Sequence, residues 1–162
     1  MDKRNATSET PGGAGAAMER HRTPYGSVEF RSHASDLTVE LRGHSAPDLF
    51  RLAAWALART QVPDPDGDPA AEDVIELEAD GWDDLLVNWM NQLLFLTERH
   101  RAVWTEVDFR RLEDSGLTAK VKGCPWPEGQ ATPGREVKAA SYIGLELVPG
   151  PSLWMARVKL DL

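Results

Sequence analysis

Asp80-Gly81-Trp82-Asp83-Asp84-Leu85-Leu86-Val87-Asn88-Trp89-Met90-Asn91-Gln92-Leu93-Leu94-Phe95-Leu96-Thr97-Glu98-Arg99-His100 is the most strongly periodic stretch of the chain. Trp82, Leu85, Leu86, Trp89, Leu93 and Leu96 recur at helical spacing, which predicts a helix over 80–100 with one apolar stripe and Asp80 as its cap. A stripe of that length has to be buried, so Trp82 and Trp89 read as core residues. The flanks read differently. Ile75 and Leu77 alternate with Glu76 and Glu78, predicting a strand over 72–79. Downstream, 103–112, 117–122, 136–147 and 153–162 read as strands separated by Gly or Pro.

Nearer the N-terminus, Val28 and Phe30 alternate with polar neighbours, as do Leu37, Val39 and Leu41, so two further strands flank the polar loop Ser32-His33-Ala34-Ser35. Ser45-Ala46-Pro47-Asp48 is a helix start: Ser caps, Pro suits the first turn, and Asp48 stands three residues after the cap. Leu49, Leu52, Ala53, Ala56 and Leu57 then share a face. The stretch 62–71, dense in Pro and Asp, predicts a surface loop. Residues 1–24 are polar and Gly-rich without periodicity and are expected to form a flexible leader, with one folded domain over 25–162. The order β-β-α-β-α-β-β-β-β implies an α+β domain, two helices packed on a largely antiparallel curved sheet or pair of sheets.

A chain of 162 residues with 41% apolar content and six Trp can bury a real core. It contains no apolar stretch near the roughly 20 residues needed to span a bilayer, and its start lacks the apolar segment of a signal peptide. Cys124 is its single cysteine, which excludes an internal disulfide and suits a reducing compartment, so a cytoplasmic location is expected. The net charge of −8 comes from 26 acidic against 18 basic residues with no basic run. That balance argues against direct, tight nucleic-acid binding. It is compatible with a partner of basic surface or with a bound cation.

There is no Gly-rich phosphate loop, no paired cysteines for zinc and no G-x-S-x-G turn, and the four histidines match no metal spacing. Oxygen chemistry remains. Asp36 begins a strand directly after the polar loop, Lys138 lies on the polar face of the strand 136–140, and the given sequence closes on Asp161-Leu162 at the end of another strand. A side-chain carboxylate and a terminal carboxylate would stand a residue apart there. Two anions 4 Å apart repel by about 4 kcal/mol at an effective dielectric of 20, so a hard metal ion, Lys or Arg is expected beside them if the strand end is packed.

Four segments resemble the archease family. Val28-Glu29-Phe30-Arg31-Ser32-His33-Ala34-Ser35-Asp36 is similar to its opening motif, a strand running into Asp-His-Thr-Ala-Asp. The stretch from Asp84 to Leu96 resembles its second helix, Glu136-Val137-Lys138-Ala139-Ala140-Ser141-Tyr142 resembles its Glu-Val-Lys-Ala-x-Thr-Tyr strand, and Asp161-Leu162 resembles its closing Asp-Ile.

The resemblance implies an accessory factor rather than a stand-alone enzyme. Archeases assist the GTP-dependent RNA ligase that joins 2′,3′-cyclic phosphate and 5′-hydroxyl ends in tRNA splicing and RNA repair. They promote guanylylation of the ligase's histidine and its multiple turnover. By motif position the family's metal-binding aspartates fall on Asp36 and Asp161 and its lysine on Lys138. Leu162 is then a candidate third ligand, and Ser32 and His33 a possible outer layer. The expected cation is calcium, with magnesium and manganese as alternatives.

Three positions depart from the pattern: Ser32 stands for the first motif Asp, Ile143 for a His after the Tyr, and Gln130 for a loop His. Two other readings compete. One is a metal-dependent hydrolase of a small phosphorylated substrate, in which His33 is the only base near Asp36 in sequence; the other is a degenerate protein-binding module without metal.

Overall fold

The protein is described by a computed structural model covering residues 7–9, 18–65, 67–126 and 134–162. Among these residues two helices, α1 (Ala46–Gln61) and α2 (Trp82–His100), pack between two antiparallel sheets. The larger sheet runs in the order β1 (Thr7–Glu9), β2 (Met18–Thr23), β3 (Gly26–Ser32), β4 (Asp36–Gly43), β9 (Trp154–Asp161), β8 (Ala139–Val148). The smaller consists of β5 (Ala71–Glu78), β7 (Gly116–Pro125) and β6 (Ala102–Glu113), with β7 central. The α+β class and the pair of sheets agree with the expectation.

The apolar stripes do what their periodicity requires. Leu85, Leu86, Trp89, Leu93 and Leu96 of α2 are buried in one cluster with Leu49, Leu52, Ala53, Ala56 and Leu57 of α1 and the inward residues of both sheets. Trp89 is fully buried and its indole N–H donates to the Phe50 carbonyl at 2.9 Å, so the burial leaves no orphan polar group there. The α1 cap is as expected: the Asp48 N–H donates to Ser45 Oγ at 3.3 Å. The α2 cap is not. Gly81 occupies the cap position with φ 117, a conformation L side chains rarely adopt, and Asp84 reaches back to accept from the Asp80 N–H at 3.2 Å.

Two expected boundaries shift. The domain starts before Tyr25, because Met18–Thr23 pairs along its whole length with Gly26–Ser32. That strand is held by ladder hydrogen bonds and packs only partly against the core, so its side chains carry no alternation to read. Residues 1–6 and 10–17 of the expected leader, and Gln130, lie outside the described residues. The strand expected over 136–147 begins at Ala139. In the preceding segment Val137 is buried and Lys138 exposed, and the Lys138 N–H still donates to the Asp161 carbonyl at 2.8 Å.

The pairing of β4 with β9 positions the site. Leu37, Val39 and Leu41 face Leu160, Val158 and Ala156 on the core side, so Asp36, Thr38 and Glu40 must face Asp161, Lys159 and Arg157 on the outer side. A slip of one residue would exchange the two sets and bury the charges. The hydrophobic core therefore dictates which polar residues meet outside it.

Candidate functional site

Asp36 and Asp161 are direct partners in the β4–β9 register. Directly opposed residues of an antiparallel pair carry their Cβ atoms roughly 4.5–5.5 Å apart on one face, where like charges are destabilising. Among the described residues no lysine, arginine or histidine forms an ion pair with either carboxylate. Lys138 is brought beside Asp161 through its backbone, but its exposed side chain pairs with neither aspartate. Among the described residues Lys138 thus forms no salt bridge with Asp36 or Asp161.

Three segments close around the pair. The His33 N–H donates to the Asp36 carbonyl at 2.9 Å and closes the 32–36 turn. The Leu162 N–H donates to the Ser35 carbonyl at 3.2 Å while its side chain packs on the core, so Leu162 is docked against that turn. On the other side, Ala139 pairs with Asp161, and Asn91 of α2 grips the next residue twice: its Nδ2 donates to the Ala140 carbonyl at 3.1 Å and its Oδ1 accepts from the Ala140 N–H at 2.8 Å. Asn91 fixes the edge strand β8 from outside the sheet. Its polar amide between Met90 and Gln92 gave only a faint signal, since an Asn on a helix reads first as a solvated residue.

Arg135 was also missed. Its N–H donates to the Thr60 carbonyl at the end of α1 at 2.9 Å, where Gly134 lies so close that a Cβ would come within 2.6 Å of the same oxygen. That anchorage lets Arg135 Nη1 donate to Ser32 Oγ at 3.1 Å. Ser32, expected in an outer layer around the acids, is already engaged by a cation. His33 is exposed, and among the described residues its side chain forms no hydrogen bond or ion pair with either aspartate.

The model of the archease protein family matches residues 29–162, from the opening strand through the last. The chain belongs to the archease family. Archeases from Methanosarcina barkeri and Methanothermobacter thermautotrophicus are 29% and 28% identical to it, each over 83% of this chain and over 94% and 97% of their own lengths. The solution structure of protein 1598 from Methanobacterium thermoautotrophicum superposes with a TM-score of 0.67 at 26% identity, over 82% of this chain and 96% of that one. A crystal structure from Thermotoga maritima, described as an archease and possible chaperone, gives a TM-score of 0.57 at 18% identity over 80% and 93%, a likeness of fold.

The donors that this archease gathers at Asp36 and Asp161 are oxygens only. Among the described residues no group of three or more His, Cys, Asp or Glu side chains is assembled to hold a metal. An oxygen-only pair of carboxylates without a basic partner fits a hard cation and not a soft one. No helix among the described residues is long and apolar enough to cross a membrane.

Proposed function

We propose that this archease is a cytoplasmic accessory factor of a GTP-dependent RNA ligase, promoting the ligase's guanylylation and repeated turnover in tRNA splicing and RNA repair without catalysing a reaction itself. In this reading Asp36 and Asp161 hold a divalent cation, calcium before magnesium or manganese. Leu162 is the candidate for a third oxygen, and Lys138 is left free to contact a phosphate or an acidic group of the ligase. The single observation that carries the reading is the unneutralised Asp36–Asp161 pair at the end of the sheet.

The cation would supply positive charge for phosphate oxygens. The chain's own residues do the rest: the core register holds the two carboxylates opposite one another, and Leu162 and Asn91 keep the two flanking segments from fraying. The acidic surface, which disfavours free RNA, suits the mouth of a basic RNA-binding partner.

The deciding assay is guanylylation of the ligase with and without this protein, with Asp161→Ala as control. Stimulation by the parent and none by the variant is expected; equal stimulation by both removes the aspartates from the function. Turnover of cyclic phosphates or nucleotides by the protein alone would instead favour the hydrolase. The metal-free binding module draws on the engagement of Ser32 by Arg135, and absence of calorimetric heat with Ca²⁺, Mg²⁺ and Mn²⁺ would leave only that reading.

A further inference from the structure

On the other side of the larger sheet, α1 presents the pattern Arg51-x-x-Ala54-Trp55-x-x-Ala58-Arg59 along one stripe. Where this stripe passes β6 it leaves a cavity of about 240 Å³, because Ala54 and Ala58 are too short to fill the space between the helix and the strand. Tyr25, Trp55 and Trp104 form its aromatic walls, and Arg51 and Arg59 stand two helical turns apart along it. Among the described residues the lining contains two cations and no carboxylate, in a chain whose net charge is −8.

The charged donors there are the two guanidiniums. Each guanidinium is pre-oriented by an aromatic face: Arg59 lies 4.9 Å from the centre of the Trp55 ring, and Arg51 lies 5.7 Å from Tyr25 and 5.2 Å from Phe109. Arg51 Nε donates to the Val107 carbonyl at 3.3 Å, and Arg59 Nη1 to the Pro63 carbonyl at 2.7 Å. Their counter-charges are weak. Asp64 pairs with Arg59 at 3.2 Å but its side chain is 96% exposed, and Asp48 is 4.0 Å from Arg51. The exposed Arg59–Asp64 pair and the long Arg51–Asp48 contact each yield readily to a better-placed anion.

We infer that this cavity is a second binding site, taking a small molecule that combines a flat ring with an anionic group, the chemistry of a nucleoside monophosphate. The aromatic walls and alanine floor accept the ring, and the arginines the anion. The site is separate from the aspartate pair and does not depend on the function proposed for it.

The test is calorimetric titration of the full chain with AMP and GMP, with adenosine and inorganic phosphate as separate arms, followed in parallel by tryptophan fluorescence. Saturable binding of a monophosphate at millimolar concentration or below is expected, tighter than that of adenosine or phosphate alone, with quenching. The Arg51→Gln/Arg59→Gln variant should weaken it about tenfold or more, since two charge-assisted contacts go, while circular dichroism reports an unchanged fold. The Arg51→Lys/Arg59→Lys variant, which keeps the charge and loses the planar fork, should fall between. No binding of either monophosphate, equal binding by the glutamine variant, or phosphate binding as tightly as AMP each overturns the proposal.

Discussion

Two rows of side chains cross the same two strands on the same outer face and differ in one respect. At Glu40–Arg157 the acid meets a base: Arg157 lies 3.6 Å from Glu40 and donates to Glu146 of β8 at 2.7 Å, and Arg42 donates to Glu40 at 2.6 Å. Burial pushes the Glu40 carboxyl up, but the hydrogen bonds and charges of Arg42 and Arg157 outweigh it and hold the group below the usual carboxylate range. Two steps along each strand, Asp36 faces Asp161 with no such partner among the described residues. The first row is complete in itself and stabilises the sheet. The second is a like-charge pair that folding imposes through the core register.

The largest expected effect breaks the second row. Asp36→Asn or Asp161→Asn should lower divalent-cation affinity by about thirtyfold, since a dication and a carboxylate 4 Å apart attract by about 2 kcal/mol even in water. The same change should leave the apo protein as stable or up to about 1 kcal/mol more stable, because a like-charge pair is relieved. Calorimetry with Ca²⁺ and thermal unfolding in chelator check the two signs; a clear fall in apo stability would mean the pair is structural.

Breaking the first row should do the opposite. Arg157→Ala takes the cation from Glu40 and Glu146 and should cost about 1 kcal/mol, the scale of a surface network, with no loss of ion affinity. Its pH dependence has a definite sign. The folded-state pKa of Glu40 is lowered, so its contribution is present above the unfolded value, 4.5, and is lost as pH falls through the lower folded value. The parent should therefore lose stability more steeply than Arg157→Ala on acidification below about pH 4.5. Parallel acid-unfolding curves would contradict this.

A smaller effect sharpens the comparison. Arg135 lies on Ser32, next to the second row, and is anchored there by its backbone bond to Thr60. Arg135→Gln should raise dication affinity about fourfold, the effect of removing one charge about 10 Å from a dication in water. Ser32→Asp should act in the same direction by adding an acid. Titration of each variant reads the change, and an affinity lower than the parent's in both would show that Arg135 and Ser32 support the site.

These rows also mark what could be read from residues alone. Alternation in Leu37, Val39 and Leu41 and in Ala156, Val158 and Leu160 was legible, and once those two strands are neighbours it forces Asp36 and Asp161 onto one face. That the two aspartates share a site was implied by the family resemblance; the pairing of the strands and its register were not legible, because periodicity carries no pairing information. Met18–Thr23 escaped because a strand held between β1 and β3 by backbone bonds, and only partly buried, needs no apolar pattern. Arg135 and Asn91 escaped for a different reason. Each acts through a bond to a residue far along the chain, 103 positions away for Arg135 and 49 for Asn91, and local sequence is silent about such distances.

The smallest expected effect lies between the two rows. The β8–β9 register breaks between Ser141, which pairs with Lys159 near the aspartates, and Glu146, which pairs with Arg157. The intervening bulge carries Gly144 at φ 73 and leaves Ile143 72% exposed. Its one firm tie to α2 is Tyr142, whose hydroxyl donates to Asp84 at 2.6 Å and lies 3.2 Å from Asn88 Oδ1. The Tyr142 hydroxyl, with the Asp80 N–H, draws the Asp84 carboxyl below its ordinary value, and the bond to Asp84 pushes the Tyr142 hydroxyl above its own. The carboxylate contribution is lost as pH falls through the lowered value; the hydroxyl contribution is lost as pH rises from 10 toward the raised one, so the tie holds across the whole neutral range. Tyr142→Phe should therefore cost a few tenths of a kcal/mol, as expected for an exposed contact, and should speed amide exchange over 141–146 while leaving Ca²⁺ affinity as in the parent. A loss of affinity in that variant would mean that the bulge transmits order from one row to the other, and that the two rows are coupled.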